Sequence, residues 1–109
     1  MEMNYRIKDR DLTISLAGEL DHHAVRGAME SVERWIEQHM PAKTFLDFAG
    51  LTFMDSSGIA LVIRTKRRAE LMGSSLAVVN IPRQAARVLE TAGLTRFVEL
   101  NREVKYETE

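Results

Sequence analysis

The chain has 109 residues, 45% hydrophobic and 28% charged, with six Gly and two Pro, a balance that fits one compact domain over residues 1–109 rather than a disordered or collagen-like polymer. Fifteen Lys and Arg against sixteen Asp and Glu leave a formal charge of -1, short of the basic field that a general nucleic-acid surface needs. No cysteine is present, which excludes disulfides, a thiolate nucleophile and cysteine-bearing zinc sites.

Tyr5 and Ile7 precede a charged corner at residues 8–11, after which Leu12, Ile14 and Leu16 alternate with Thr13, Ser15 and Ala17. This period of two predicts an opening β-hairpin. The period then changes: Val25, Met29, Val32 and Ile36 recur every three or four residues, with Arg26, Glu30, Glu33, Arg34 and Glu37 between them, as in an amphipathic helix. Asp21 stands before it as a cap, and Pro41 bars continuation past Met40. Trp35 and Met40 are expected to supply apolar mass at the core or its shoulder rather than a stacking platform.

Residues 44–48, with Phe45, Leu46 and Phe48 closely spaced, read as a central strand, and residues 50–54 as a short connection. The loop Asp55-Ser56-Ser57-Gly58 leads into a helix over 59–72 that buries Ile59, Val62, Ile63 and Ala69 and closes at Gly73. Arg64, Lys66, Arg67 and Arg68 fall on another face, where solvation is the common role and partner recognition the sharper one. A strand over 76–79 leads to Pro82, then to a helix with Ala85, Val88, Leu89 and Ala92 on one side, and residues 97–100 form a last short strand. Residues 101–109 are too polar to assign and are expected to fray or dock weakly. Strands alternating with helices after a hairpin predict an α/β fold with a mixed, mostly parallel sheet and one antiparallel edge.

The chemistry concentrates at residues 55–58. A hydroxyl at a helix start lies beside backbone N–H groups that stabilise added negative charge, so Ser57 is a candidate phosphoacceptor, while plain N-capping is the more common role for such a local sequence. With Ser56 as the cap Ser57 is the more available hydroxyl, and the offset between the two serines leaves their order of exposure open. Asp55 would hold the loop, and Gly58 would allow a close backbone approach or a tight bend. Asp21, His22 and His23 are adjacent and point apart, and His39 is the only other histidine, so no metal site is expected. A hydrolase set of Ser57, His22 and Asp47 lacks a Gly-x-Ser-x-Gly elbow. Neither GxxxxGK nor GxGxxG occurs, so a nucleotide would belong to a partner. Residues 1–6 lack a basic-then-apolar signal and no run reaches the ~20 apolar residues of a membrane span, which makes the cytoplasm the expected location.

In order along the chain, Gly18-Glu19-Leu20-Asp21, the segment from Phe45 to Leu51, Phe53-Met54-Asp55-Ser56-Ser57-Gly58 and Ala92-Gly93-Leu94 together resemble the STAS family over nearly the whole length, and within it the sporulation-type anti-sigma factor antagonists of spore-forming bacteria. The resemblance implies a STAS domain with helices mainly on one side of the sheet. It also implies a regulatory protein, not an enzyme, that when unphosphorylated binds an anti-sigma factor serine kinase and so releases a sporulation sigma factor. Ser57 would be the phosphoacceptor, Asp55, Ser56 and Gly58 the recognition loop, and Asp21, His22 and Ile59 partner contacts. Phosphorylation at Ser57 would weaken the complex, and a dedicated serine phosphatase would restore it. ATP or ADP would sit on the kinase, with no cofactor owned by this chain, no direct nucleic-acid contact and no membrane-spanning partner required. The alternatives are a STAS scaffold or adaptor in a bacterial stress-signalling complex and, less favoured, a small hydrolase. The short polar end departs from the longer, more apolar ending common in the family and puts a packed terminal helix in doubt.

Overall fold

Asp9 and Arg10, with φ of 50° and 69°, form the two-residue turn that joins β1 (Glu2–Lys8) to β2 (Asp11–Leu20), the left-handed pair that matches the twist of a hairpin. In the computed structural model, which describes residues 1–103, this antiparallel pair is one side of a five-stranded sheet ordered β1-β2-β3-β4-β5. The remaining neighbours, β3 (Lys43–Met54), β4 (Ser75–Ile81) and β5 (Glu99–Arg102), run parallel to β2. Crossovers are made by α1 (Val25–His39), α2 (Ser57–Leu71) and α3 (Arg83–Thr91), the last followed by a 3-10 turn at Leu94–Arg96.

Alternation assigns the two faces of the sheet. The register lines up Ile14, Leu46 and Val78, all fully buried, and sets Thr13 beside Phe45 on the opposite, part-exposed face. Ala28, Val32 and Ile36 of α1, Leu61 and Val62 of α2, and Ala85, Ala86 and Leu89 of α3 join the same core as Ile14 and Leu46, so the three helices cover one face. At ~25 cal/mol per Å² of apolar surface, that single face carries the hydrophobic stabilisation.

Several expectations are corrected. Residues 50–54 are strand, not connection: β3 continues beside β2 to Met54, with register shifts between Ser15 and Ala17 and between Gly18 and Glu19. Gly50 makes the approach fit, since a Cβ there would lie 2.8 Å from the Ala17 Cβ. The buried stripe of α2 is Gly58, Leu61, Val62, Thr65 and Ala69, with Ile59 and Ile63 only partly covered, a rotation that brings the small Gly58 against the sheet. Met40 is 58% exposed, because it ends α1 in the left-handed region with φ 44° while its N–H bonds to the Ile36 carbonyl. Trp35 is part-buried, its ring centroid 4.8 Å from that of Tyr5. Arg64 and Arg68 are not spare recognition groups: Arg64 pairs with Glu33 at 2.9 Å, and Arg68 with Glu33 at 3.3 Å and Glu37 at 2.6 Å, which clamps α2 to α1. The last strand starts at Glu99 because residues 94–96 form the 3-10 turn, and Asn101 and Arg102 lie within it rather than in a tail. Residues 104–109 of the expected tail lie outside the described residues.

Candidate functional site

Because β2 and β3 are parallel neighbours with Leu20 opposite Met54, the segments that leave them emerge side by side at the carboxyl end of the sheet, the usual place for a binding crevice in open α/β folds. The Asp55 N–H donates to the Leu20 carbonyl at 3.2 Å and continues the pairing by one residue. Residues far apart in sequence therefore meet by topology.

Asp55 ties the two segments together. Its Oδ1 accepts from the Ser57 N–H at 2.8 Å and its Oδ2 from the His22 N–H at 3.1 Å, with His22 Nδ1 3.8 Å away. Partial burial pushes its carboxyl up, yet the hydrogen bonds from Ser57 and from the His22 N–H outweigh this and hold it below the ordinary aspartate value. The acceptor at the start of α2 is thus Asp55 and not the expected Ser56, which makes no side-chain capping bond. The reason is geometric: Ser56 already has helical dihedrals, φ -63° and ψ -15°, whereas a capping side chain reaches forward from an extended residue. Ser56 is exposed and Ser57 part-exposed.

Asp21 serves the other segment in the same way. Its Oδ1 accepts from the N–H groups of His23 and Ala24, both at 3.0 Å, and so shapes the turn that leads into α1, whose own cap position, Ala24, carries no side-chain capping bond. His22 is exposed, with its ring 3.9 Å from that of His23. Gly58 is buried: a Cβ there would fall 2.3 Å from Sδ of Met54, itself fully buried, so close approach explains this glycine and a partner would not touch it directly. Ile59 is part-buried and borders a shallow apolar groove with Ser56, Arg87 and Val88.

The structure therefore brings Asp21, His22, Asp55, Ser56 and Ser57 to one surface, with Gly58 beneath it and Ile59 at its side. Asp47, the imagined acid of a hydrolase set, bonds instead to the Ala49 N–H at 3.0 Å and to Asn80 Nδ2 at 3.1 Å, so it does not orient His22. Among the described residues no three His, Asp or Glu side chains gather as a metal site would require. Sequence reasoning missed Gln84. From the first turn of α3 its Nε2 donates to the Met54 carbonyl at 2.7 Å and its Oε1 accepts from the Met54 N–H at 2.9 Å, which fixes the last residue before the loop. A side-chain amide just past Pro82 was the only signal, and nothing local tells where it reaches.

Comparison with known proteins gives the family and the fold. The STAS domain family matches residues 2–106. The chain is 34% identical over 83 residues to an anti-sigma F factor antagonist of Lysinibacillus sphaericus, covering 76% of this chain and 71% of that protein. The unphosphorylated form of the anti-sigma factor antagonist SpoIIAA superposes with a TM-score of 0.77 at 29% identity, over 91% of this chain and 87% of that one. The phosphorylated form of the Bacillus cell fate determinant SpoIIAA gives 0.69 at 28% identity, over 91% and 90%.

Proposed function

Since the chain belongs to the STAS domain family, we propose that it is an anti-sigma factor antagonist that binds its anti-sigma factor while Ser57 is unmodified and releases it once Ser57 carries a phosphate. The observation that carries this reading is the double hydrogen bond of Asp55, which joins the Ser57 helix start and the Asp21-His22 turn into one surface. The relatives named as anti-sigma factor antagonists, and the existence of SpoIIAA in both phosphorylated and unphosphorylated forms, support it from outside the chain.

The switch needs little movement. A kinase partner would supply ATP: the Ser57 Oγ bonds to the γ-phosphorus, the hydroxyl proton goes to a base on the kinase and ADP leaves. A phosphoserine adds about 1.5 to 2 negative charges at pH 7. That charge stands beside the Asp55 carboxylate, where the α2 N-terminus tolerates it within the chain, but a partner surface shaped for a neutral hydroxyl meets repulsion and a desolvation cost. Asp21 and His22 form the second contact element, and a serine phosphatase resets the state. The sigma factor released is one for sporulation, in keeping with the relatives named anti-sigma F factor antagonists.

The test is intact and peptide mass spectrometry after incubation with a purified anti-sigma factor serine kinase that binds the unmodified protein, and ATP, with Ser57→Ala as control, followed by calorimetry of the kinase with modified and unmodified protein. One phosphate at Ser57, absent from the control, and at least about tenfold weaker binding of the modified form are expected. Equal affinities of the two forms, or no modification by an active kinase, would sink the reading.

A further inference from the structure

β1 is an edge of the sheet and, among the described residues, pairs with β2 alone. Its turn fixes which groups face outward. In a two-residue hairpin the closing pair, here Lys8 and Asp11, is the hydrogen-bonded one, and alternation then points the N–H and C=O groups of Glu2, Asn4, Arg6 and Lys8 at β2. Those of Met3, Tyr5 and Ile7 point away from the sheet. The side chains of the same three residues lie on the core side, opposite Leu16, Ile14 and Leu12, yet Tyr5 stays 38% and Ile7 43% exposed. A strand edge with open hydrogen-bonding groups and an apolar row that is only partly covered is a template for another strand.

We propose that this edge pairs with β1 of a second copy, antiparallel about Tyr5, and joins two five-stranded sheets into one across a two-fold axis. The sequence EMNYRIK is self-complementary in that register. Tyr5 faces Tyr5 and Met3 faces Ile7, and these are the residues whose backbone groups point outward, so each pair exchanges both of its hydrogen bonds. Glu2 faces Lys8 and Asn4 faces Arg6 in the closer, non-hydrogen-bonded positions, which brings opposite charges together at both ends of the ladder. Other registers fit less well. Centring on Arg6 opposes Arg6 to itself, centring on Asn4 leaves Lys8 outside the ladder, and a slip by one residue sets outward groups against inward ones. The ladder buries far less than the ~1,600 Å² of a standard interface, so the dimer is weak and forms as concentration rises. The inference rests on the edge alone and is independent of the partner-switch reading.

Sedimentation velocity over a concentration series tests it, with Glu2→Lys, Lys8→Glu, the double swap and an equimolar mixture of the two single variants. The wild type is expected to shift from monomer to dimer and to shift back on added salt. Each single variant opposes like charges and should dimerise about tenfold more weakly, while the mixture and the double swap restore unlike pairs and recover the dimer. Glu2 lies opposite Ala17 in its own hairpin, so Glu2→Lys leaves that hairpin intact, even if Lys8→Glu loosens its own by setting a second carboxylate opposite Asp11. A wild type that stays monomeric, or a dimer indifferent to Glu2→Lys, would overturn the proposal.

Discussion

At Asp55 a single carboxylate receives N–H groups from two segments that are more than thirty residues apart, Ser57 on one side and His22 on the other. Charge matters here as well as geometry, since hydrogen bonds to ionised acceptors are worth about 1.5–3 kcal/mol against about 0.5–1.5 for neutral ones. Asp55→Asn keeps an acceptor and drops the charge, so it should cost about 1 kcal/mol at neutral pH, read from urea midpoints. The folded-state pKa of Asp55 lies below that of the unfolded chain, so its stabilisation is complete above the ordinary aspartate value and is lost as pH falls through the lower, folded one. Wild type and variant should therefore converge in acid, and a gap that is unchanged below the folded-state value would show that the charge contributes nothing. The same residue illustrates what one-dimensional reading can reach. Its role in holding the loop was legible from its place before a helix, whereas its bond to His22 depends on a pairing between β2 and β3 that no local pattern states.

Between elements, the loop is fixed from three directions: by β2 through the Leu20 carbonyl, by the turn before α1 through His22, and by α3 through Gln84. Gln84→Ala would leave both polar groups of the fully buried Met54 without that partner, at a cost of about 1–2 kcal/mol. Amide exchange at residues 55–58 should quicken more than exchange in β4, since the side-chain hydrogen bonds of Gln84 go to Met54. Gln84→Glu separates the two bonds, since a carboxylate accepts from the Met54 N–H but cannot donate to its carbonyl; it should fall between Ala and wild type. Uniform quickening across the sheet would mean that Gln84 supports the fold at large and not the loop. The clamp of Arg64 and Arg68 on Glu33 and Glu37 joins α1 to α2 in a comparable way, but these side chains are partly exposed, where such pairs are worth about 0–1 kcal/mol.

For the whole molecule the decisive feature is one core on one face. Phe48 is fully buried and is the largest side chain in it, so Phe48→Ala should cost about 3–5 kcal/mol, a large share of the about 5–15 kcal/mol by which a domain of this size is stable. Urea unfolding should show a lower midpoint with an unchanged slope, because the surface exposed on unfolding is nearly the same. Two separate transitions would contradict a shared core for the three helices.

Composition and periodicity determined a good deal without any structure: the opening hairpin, the three helices, the alternation of Leu12, Ile14 and Leu16, and the ordered motifs around Gly18, Ser57 and Gly93. Each of these is written in neighbouring residues, since propensity, amphipathic period and turn chemistry act over a few positions. The tertiary structure decided the rest. The extension of β3 to Met54 depends on Gly50 passing Ala17, the rotation of α2 on Gly58 meeting Met54, and the cap of α2 on a carboxylate shared with His22. The two hydrogen bonds of Gln84 to Met54 belong with these. They are relations between segments distant in sequence, set by which strands lie side by side and how closely their backbones approach, and no local pattern of residue types encodes that.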